Sequence, residues 1–403
     1  MIVKSKYWEK IVLVLFSLIF YQKYGGSFFA VLPLSIYVLI ILTIILFFRK
    51  DKKIKHNFWF LLLFIFFLNM FTSLLWTNAL FYGMQKVILV SLTIVTFYAI
   101  FPIVMRNILF FIKVNIVFFM IYLINLYIQY GFFDQLSAML NVRFRLGWDD
   151  EGSPLNPIGI ARYLLYGYIN IGLYFFMVRN SEKSNILLRY LLFIPIVVGI
   201  VYLFFTGTKA PILAFVSSVL LYIYINKHIS GKFKIVLLLM PLVMYLSYSS
   251  INLFNQNSIT QAQEEYIEYR YLNVDAALFD RAMQNERALT KIEGAMILFG
   301  AGSGDFGYLY TKEDVRDYPH NIFSEILYEN GIINLLIFLS FIFYSLFLTR
   351  KNKSIHLAFS IISFNYFLIN SLFSGDLINN NLLFGFLVFM ILAAQKGYKK
   401  YAI

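Results

Sequence analysis

Cysteine is absent from the 403 residues, and charge is sparse: Asp, Glu, Lys and Arg together make up 14% of the chain. The first absence excludes a disulfide scaffold and a zinc-ribbon protein. The second excludes an ordinary soluble domain, in which about 25% of residues are charged and about 45–50% apolar. Here 60% are hydrophobic, with 45 Phe and 30 Tyr, a composition that also excludes intrinsic disorder. Internal repeats and low-complexity tracts are missing too. After the basic start and first apolar run comes Gln22-Lys23-Tyr24-Gly25-Gly26, which lacks the small-residue pattern of a cleavage site. What remains is an all-α polytopic membrane protein, expected as one integral membrane domain over residues 1–403.

A helix crossing the hydrocarbon layer needs about 20 apolar residues. Twelve runs meet or approach this: 9–22, 27–48, 58–77, 80–104, 108–130, 157–178, 186–205, 210–226, 234–251, 321–348, 355–373 and 381–395. Runs such as Ile40–Phe48 are apolar on every face, unlike the alternating strands of a membrane β-barrel. Cytoplasmic termini would put 22 of the 34 Lys and Arg, but only 3 of the 21 acids, on the inside. The short inside loops Arg49–Lys55, Arg179–Lys183, Lys227–Lys234 and Arg350–Lys353 all fit that orientation. The net charge of +13 is therefore read as topology, and a nucleic-acid partner is not expected.

Two outer-face loops exceed ordinary connections, 131–156 and 252–319. The second is expected to be partly helical, over Glu264–Phe299, and to lie on the membrane surface. In the first, Arg143 and Arg145 flank Phe144. Two guanidinium forks suit phosphate, and they would equally pair with Asp149–Glu151 or lipid headgroups. Those three acids read as a solvated turn rather than a metal site. Lys209 sits in a tight outer turn at a helix N-terminus, where a cation opposes the helix dipole unless an anion binds there. Snorkelling to the interface is the alternative.

The stretch 297–331 is the richest. Gly300-Ala301-Gly302-Ser303-Gly304 would either cradle an anion on backbone N–H groups or make a tight turn. Then come Pro319-His320-Asn321, Glu325, Glu329 and Gly331 at the head of the tenth run. His320 is the one histidine of four expected on the outer face. A helix N-terminus disfavours a charged imidazolium and leaves the ring able to accept a proton. Glu329, nine residues on, lies on the far side of the helix and is expected to cap packing between spans, to orient a basic residue or to be solvated.

These residues (Gly300, Gly302, Phe306, His320, Asn321, Glu329 and Gly331) resemble the pattern of the O-antigen polymerase and O-antigen ligase superfamily. About twelve spans with a large outer loop before the His-Asn helix match its layout along the whole chain. The resemblance implies a GT-C-like membrane bundle in the bacterial cytoplasmic (inner) membrane. It implies a metal- and nucleotide-independent glycosyltransferase acting on undecaprenyl-diphosphate-linked glycan, with membrane lipids and possible functional partners in a flippase and a chain-length regulator. His320 would take the proton of the acceptor hydroxyl, and basic residues would stabilise the departing diphosphate. Arg281, 19 residues before Gly300, fits the family's loop arginine best, with Arg287 and Arg270 as fallbacks. Lys209 stands where the family often has arginine, and Asn285 where a tryptophan is often found. Asn321 and Glu329 complete the expected substrate contacts.

The leading expectation is a repeat-unit polymerase, and the nearest rival a ligase moving finished glycan to lipid core or protein. A lipid-linked oligosaccharide flippase is the alternative of another class. The few mid-span charges (Lys86, Lys113 and Arg162) and the loop-borne outer charges favour an enzyme.

Overall fold

A computed structural model describes residues 2–21, 58–130, 157–179, 186–206, 208, 210–225, 283–351, 354–373 and 375–395. Its regular structure in these residues is wholly helical. The long helices are α1 (Ile2–Tyr21), α2 (Phe58–Thr72), α3 (Leu80–Arg106), α4 (Ile108–Tyr130) and α5 (Pro157–Arg179). They continue with α6 (Ile186–Thr206), α7 (Ala210–Ile225), α8 (Ile322–Lys351), α9 (Ile355–Ser371) and α10 (Asn381–Ala393). Ten of the twelve apolar runs thus coincide with helices. The runs 27–48 and 234–251, and the loop 131–156 with Arg143 and Arg145, lie outside the described residues, as do 252–282.

Helix ends follow local chemistry. Pro157 opens α5, where its missing N–H costs nothing. The Ser354 hydroxyl accepts from the Leu357 N–H at 3.3 Å and caps α9.

Among the described residues, four segments are long and apolar enough to cross a membrane: Phe58–Leu75, Leu80–Arg106, Ile108–Ile128 and Ile322–Thr349. The final run forms a short helix that the rest of the bundle encloses. Its helix, α10, has 13 residues, so it is about 20 Å long against a hydrocarbon layer of about 30 Å. Twelve of the 13 are buried, and α3 and α9 pack against it. A helix apolar on every face belongs inside something, and here that is protein. Phe386 is the hub, with ring centroids 5.4 Å from Phe97, 5.4 Å from Phe367 and 5.8 Å from Phe20.

Of the stretch Glu264–Phe299, expected to be partly helical, residues 283–299 are described. Helix covers 283–290, breaks, and resumes for one turn at Met296–Phe299. Gly294 takes a left-handed φ of 55° in the break. Beyond that stretch, from Ala301 to Gly307, the chain is buried against α8 and the turn after α2. The 73–79 turn, the 291–321 segment and the 372–380 turn thus gather at one end of the bundle.

Candidate functional site

The glycine-rich loop and the head of α8 form one joint. The helix breaks at Gly331, where φ is 76° and ψ 178°. A break frees carbonyls that need partners, and in a membrane each unpaired one costs several kcal/mol. All three freed carbonyls are satisfied from elsewhere in the fold. Tyr328 O accepts from the Ala301 N–H at 2.7 Å, and Glu329 O from the Gly302 N–H at 3.0 Å. Asn330 O accepts from Asn69 Nδ2 at 3.0 Å.

That approach requires glycine on both sides. A Cβ on Gly331 would stand 2.1 Å from Leu298 O, and one on Gly300 2.3 Å from Glu329 O. Gly304, also left-handed, lies against the backbone of Gly83 in α3. Of the two sequence readings, the structure uses Gly300, Gly302 and Gly304 for close packing, with the Ala301 and Gly302 N–H groups already spent. Asp305 and Ser303 lock the loop to the preceding turn. Asp305 Oδ1 accepts from Asn78 N at 2.9 Å, Thr77 Oγ1 donates to Ser303 O at 3.0 Å, and the Ser303 and Ser73 hydroxyls are 2.9 Å apart.

Behind this joint lies a buried ionic network. Lys86, on α3, is fully buried, with Nζ 2.6 Å from Glu325 Oε1 and 2.6 Å from Glu329 Oε1. Its ammonium also sits 4.6 Å from the Tyr82 ring centroid. Glu325 Oε1 further accepts from the Leu377 N–H at 3.1 Å, which ties in the 372–380 turn. Glu329 is therefore neither solvated nor open to a ligand. It holds a basic residue, one of the roles anticipated for it, rather than the substrate contact that the resemblance implies, and Glu325 shares the task.

The network reaches the surface through Asp376. This carboxylate is fully buried and accepts from Tyr82 OH, from Asn379 N at 2.8 Å, and from Arg316 at two points, Nε at 3.0 Å and Nη2 at 3.2 Å. The Arg316 side chain is 48% exposed. Burial pushes the Asp376 carboxyl up, but Lys86, Arg316 and the Tyr82 hydroxyl outweigh it and hold its pKa below the usual value. Burial likewise opposes the Arg316 charge, and Asp376 outweighs it, raising the guanidinium. Tyr318 is raised, chiefly by burial.

His320 stands beside this opening. Its φ of 56° is left-handed, an uncommon state for a non-glycine residue and one that clusters at functional sites. Asn321 holds the conformation from the helix side as the N-cap of α8, its Oδ1 accepting from Phe323 N at 2.9 Å. The Tyr318 ring lies edge-on to the imidazole with centroids 4.6 Å apart, and the Arg316 guanidinium is 5.9 Å from the same ring.

Of the expected cations, Arg281, Arg270, Arg143, Arg145 and Lys209 lie outside the described residues. Arg287 is exposed, with its guanidinium 5.4 Å from the Tyr310 ring centroid. Arg316, Asp376 and Tyr82 were not singled out in the sequence. Arg316 was nonetheless four residues from His320, and Asp376 is the lone acid between the last two apolar runs. Arg162 reaches the last turn of α9, just before the 372–380 turn, its Nη2 donating to Asn370 O at 3.2 Å.

Fold and site together define a helical, membrane-type protein with an ionic site that is buried at its base and open at one end of the bundle. Compared with known proteins, the chain matches no family model and no curated protein sequence.

Proposed function

We propose that the protein polymerises undecaprenyl-diphosphate-linked repeat units at the outer face of a bacterial cytoplasmic membrane, as a twelve-span enzyme with both termini inside. One observation carries this reading. Residues that resemble the polymerase and ligase superfamily pattern, though spread over 300–331, converge at one bundle end, with His320 in a strained backbone at the rim. There His320 takes the proton of an acceptor sugar hydroxyl as its oxygen attacks the anomeric carbon of the donor. The bond from that carbon to the diphosphate oxygen breaks, the electron pair leaves with the diphosphate, and the proton passes to it or to water. Cations at the rim offset the charge that develops on the leaving group.

The test is a gel of surface and carrier-linked glycans from a strain lacking the protein. Single repeat units in place of a ladder support a polymerase. A full ladder stranded on the carrier means a ligase, and no glycan at the outer face means a flippase. An unchanged pattern overturns the reading.

A further inference from the structure

We infer that Arg316 binds the diphosphate of the lipid-linked substrate, held in place for that purpose by Asp376; the inference rests on the transferase reading above.

The geometry of the guanidinium is the first argument. Its Nε and Nη2 are both engaged by the buried Asp376 carboxylate, at 3.0 and 3.2 Å, so the planar fork is fixed in orientation. The side chain is still 48% exposed, while its partner is fully buried. A pair serving only to tie a loop down gains little from leaving its cation half in solvent. A pair presenting a fixed cation to an anion needs this asymmetry: the carboxylate anchors one edge, and the Nη1 edge remains for a ligand.

Position is the second argument. An in-line glycosyl transfer sets the base about 3 Å from the attacking oxygen, the attacking and leaving oxygens on opposite sides of the anomeric carbon, and the cation about 3 Å beyond the leaving oxygen. Base and leaving-group cation are then about 9–10 Å apart. The Tyr318 ring lies 5.9 Å from the Arg316 guanidinium and 4.6 Å from the imidazole of His320, so the cation and the base share one neighbour and stand within about 10 Å of one another, inside the reach of such a transfer.

Third, the base of the site resists collapse. Tyr82, Asn379 and Lys86 all support Asp376, so losing the Arg316 charge leaves the carboxylate with other partners. The Arg316→Gln variant is therefore expected to fold.

The experiment uses the full chain in nanodiscs, comparing wild type with Arg316→Gln, Arg316→Lys and His320→Ala. Undecaprenyl diphosphate is the binding probe, with undecaprenol as its uncharged control, and turnover of a lipid-linked repeat unit is followed separately. Arg316→Gln should weaken diphosphate binding about 10-fold or more and lower kcat/KM by about 10²–10³-fold. Arg316→Lys should fall between, and His320→Ala should bind like wild type while losing turnover. Undecaprenol binding should not change in any of them. Unchanged diphosphate binding in a folded Arg316→Gln protein overturns the inference, and equal loss of undecaprenol binding, which marks a merely structural role, does the same. Arg316-dependent diphosphate binding without any turnover by wild type supports the anion site and overturns the polymerase reading instead.

Discussion

The two ends of the helical bundle carry ion pairs of opposite character. At one end, Arg106 of α3 donates to Glu9 of α1 at 2.8 Å, with the arginine side chain 39% exposed. At the other, Lys86 and its two glutamates are no more than 1% exposed and connect through the 372–380 turn to Asp376 and Arg316. The first pair can dissociate into water at little cost. The second cannot: apart from Arg316 at its rim, its charges are out of reach of solvent, so each depends on the others. A membrane protein keeps such charges inside a bundle at considerable expense, and they mark function more often than architecture. Here the buried set includes Glu325 and Glu329 of α8, the helix that begins just after the strained His320 and makes, at Gly331, a joint that needs glycine on both of its sides.

The largest test of that contrast is charge removal. Lys86→Met strands two carboxylates and should cost about 3–5 kcal/mol, read as a large fall in melting temperature or loss of membrane-inserted protein. Arg106→Ala should cost about 0–1 kcal/mol. Equal effects at the two ends would break the comparison. Next comes the joint itself. Gly331→Ala meets Leu298 O at 2.1 Å and should cost about 2–3 kcal/mol from strain and overpacking, with the loop 300–304 becoming accessible to protease. Asn321→Ala removes one cap and should cost about 1 kcal/mol; if Asn321 holds substrate as well, activity will fall further than stability does.

The smallest expected effect concerns pH. The folded pKa of Asp376 is depressed, so the stability it contributes is present above its unfolded value, about 3.9, and is lost only as pH falls through the still lower folded value. Acidifying from pH 7 to 5 should therefore leave the Arg316 contact and its effect on binding unchanged. A loss of Arg316-dependent binding in that window would show that Asp376 is not held ionised.

Much of the fold was legible because lipid and core both demand apolar runs: the runs at 80–104 and 321–348 became α3 and α8 to within three residues at each end, while the run at 58–77 became α2 and the turn that follows it. At 381–395 the signal gave a helix but not its surroundings, since a helix enclosed by protein and a helix facing lipid are equally apolar. Within the site, His320, Asn321, Glu329 and the glycines stood out by spacing, but their uses did not. The Gly300–Gly331 joint is made of backbone contacts between segments 30 residues apart, and no spacing rule encodes it. Lys86 was visible as a charge inside an apolar run, yet its partners lie 239 and 243 residues away. Charge balance was the usable clue: a lysine in one apolar run and two glutamates in another are costly alone and compatible together. Arg316 and Asp376 carried a weaker signal, an arginine close before the histidine and a solitary acid in the last turn.

The most direct test of the central claim is His320→Ala in the native strain, with carrier-linked and surface glycans run on one gel and the protein's membrane level measured alongside. The account predicts single repeat units accumulating while the protein remains at its normal level. A normal ladder of polymer made by that variant would contradict it.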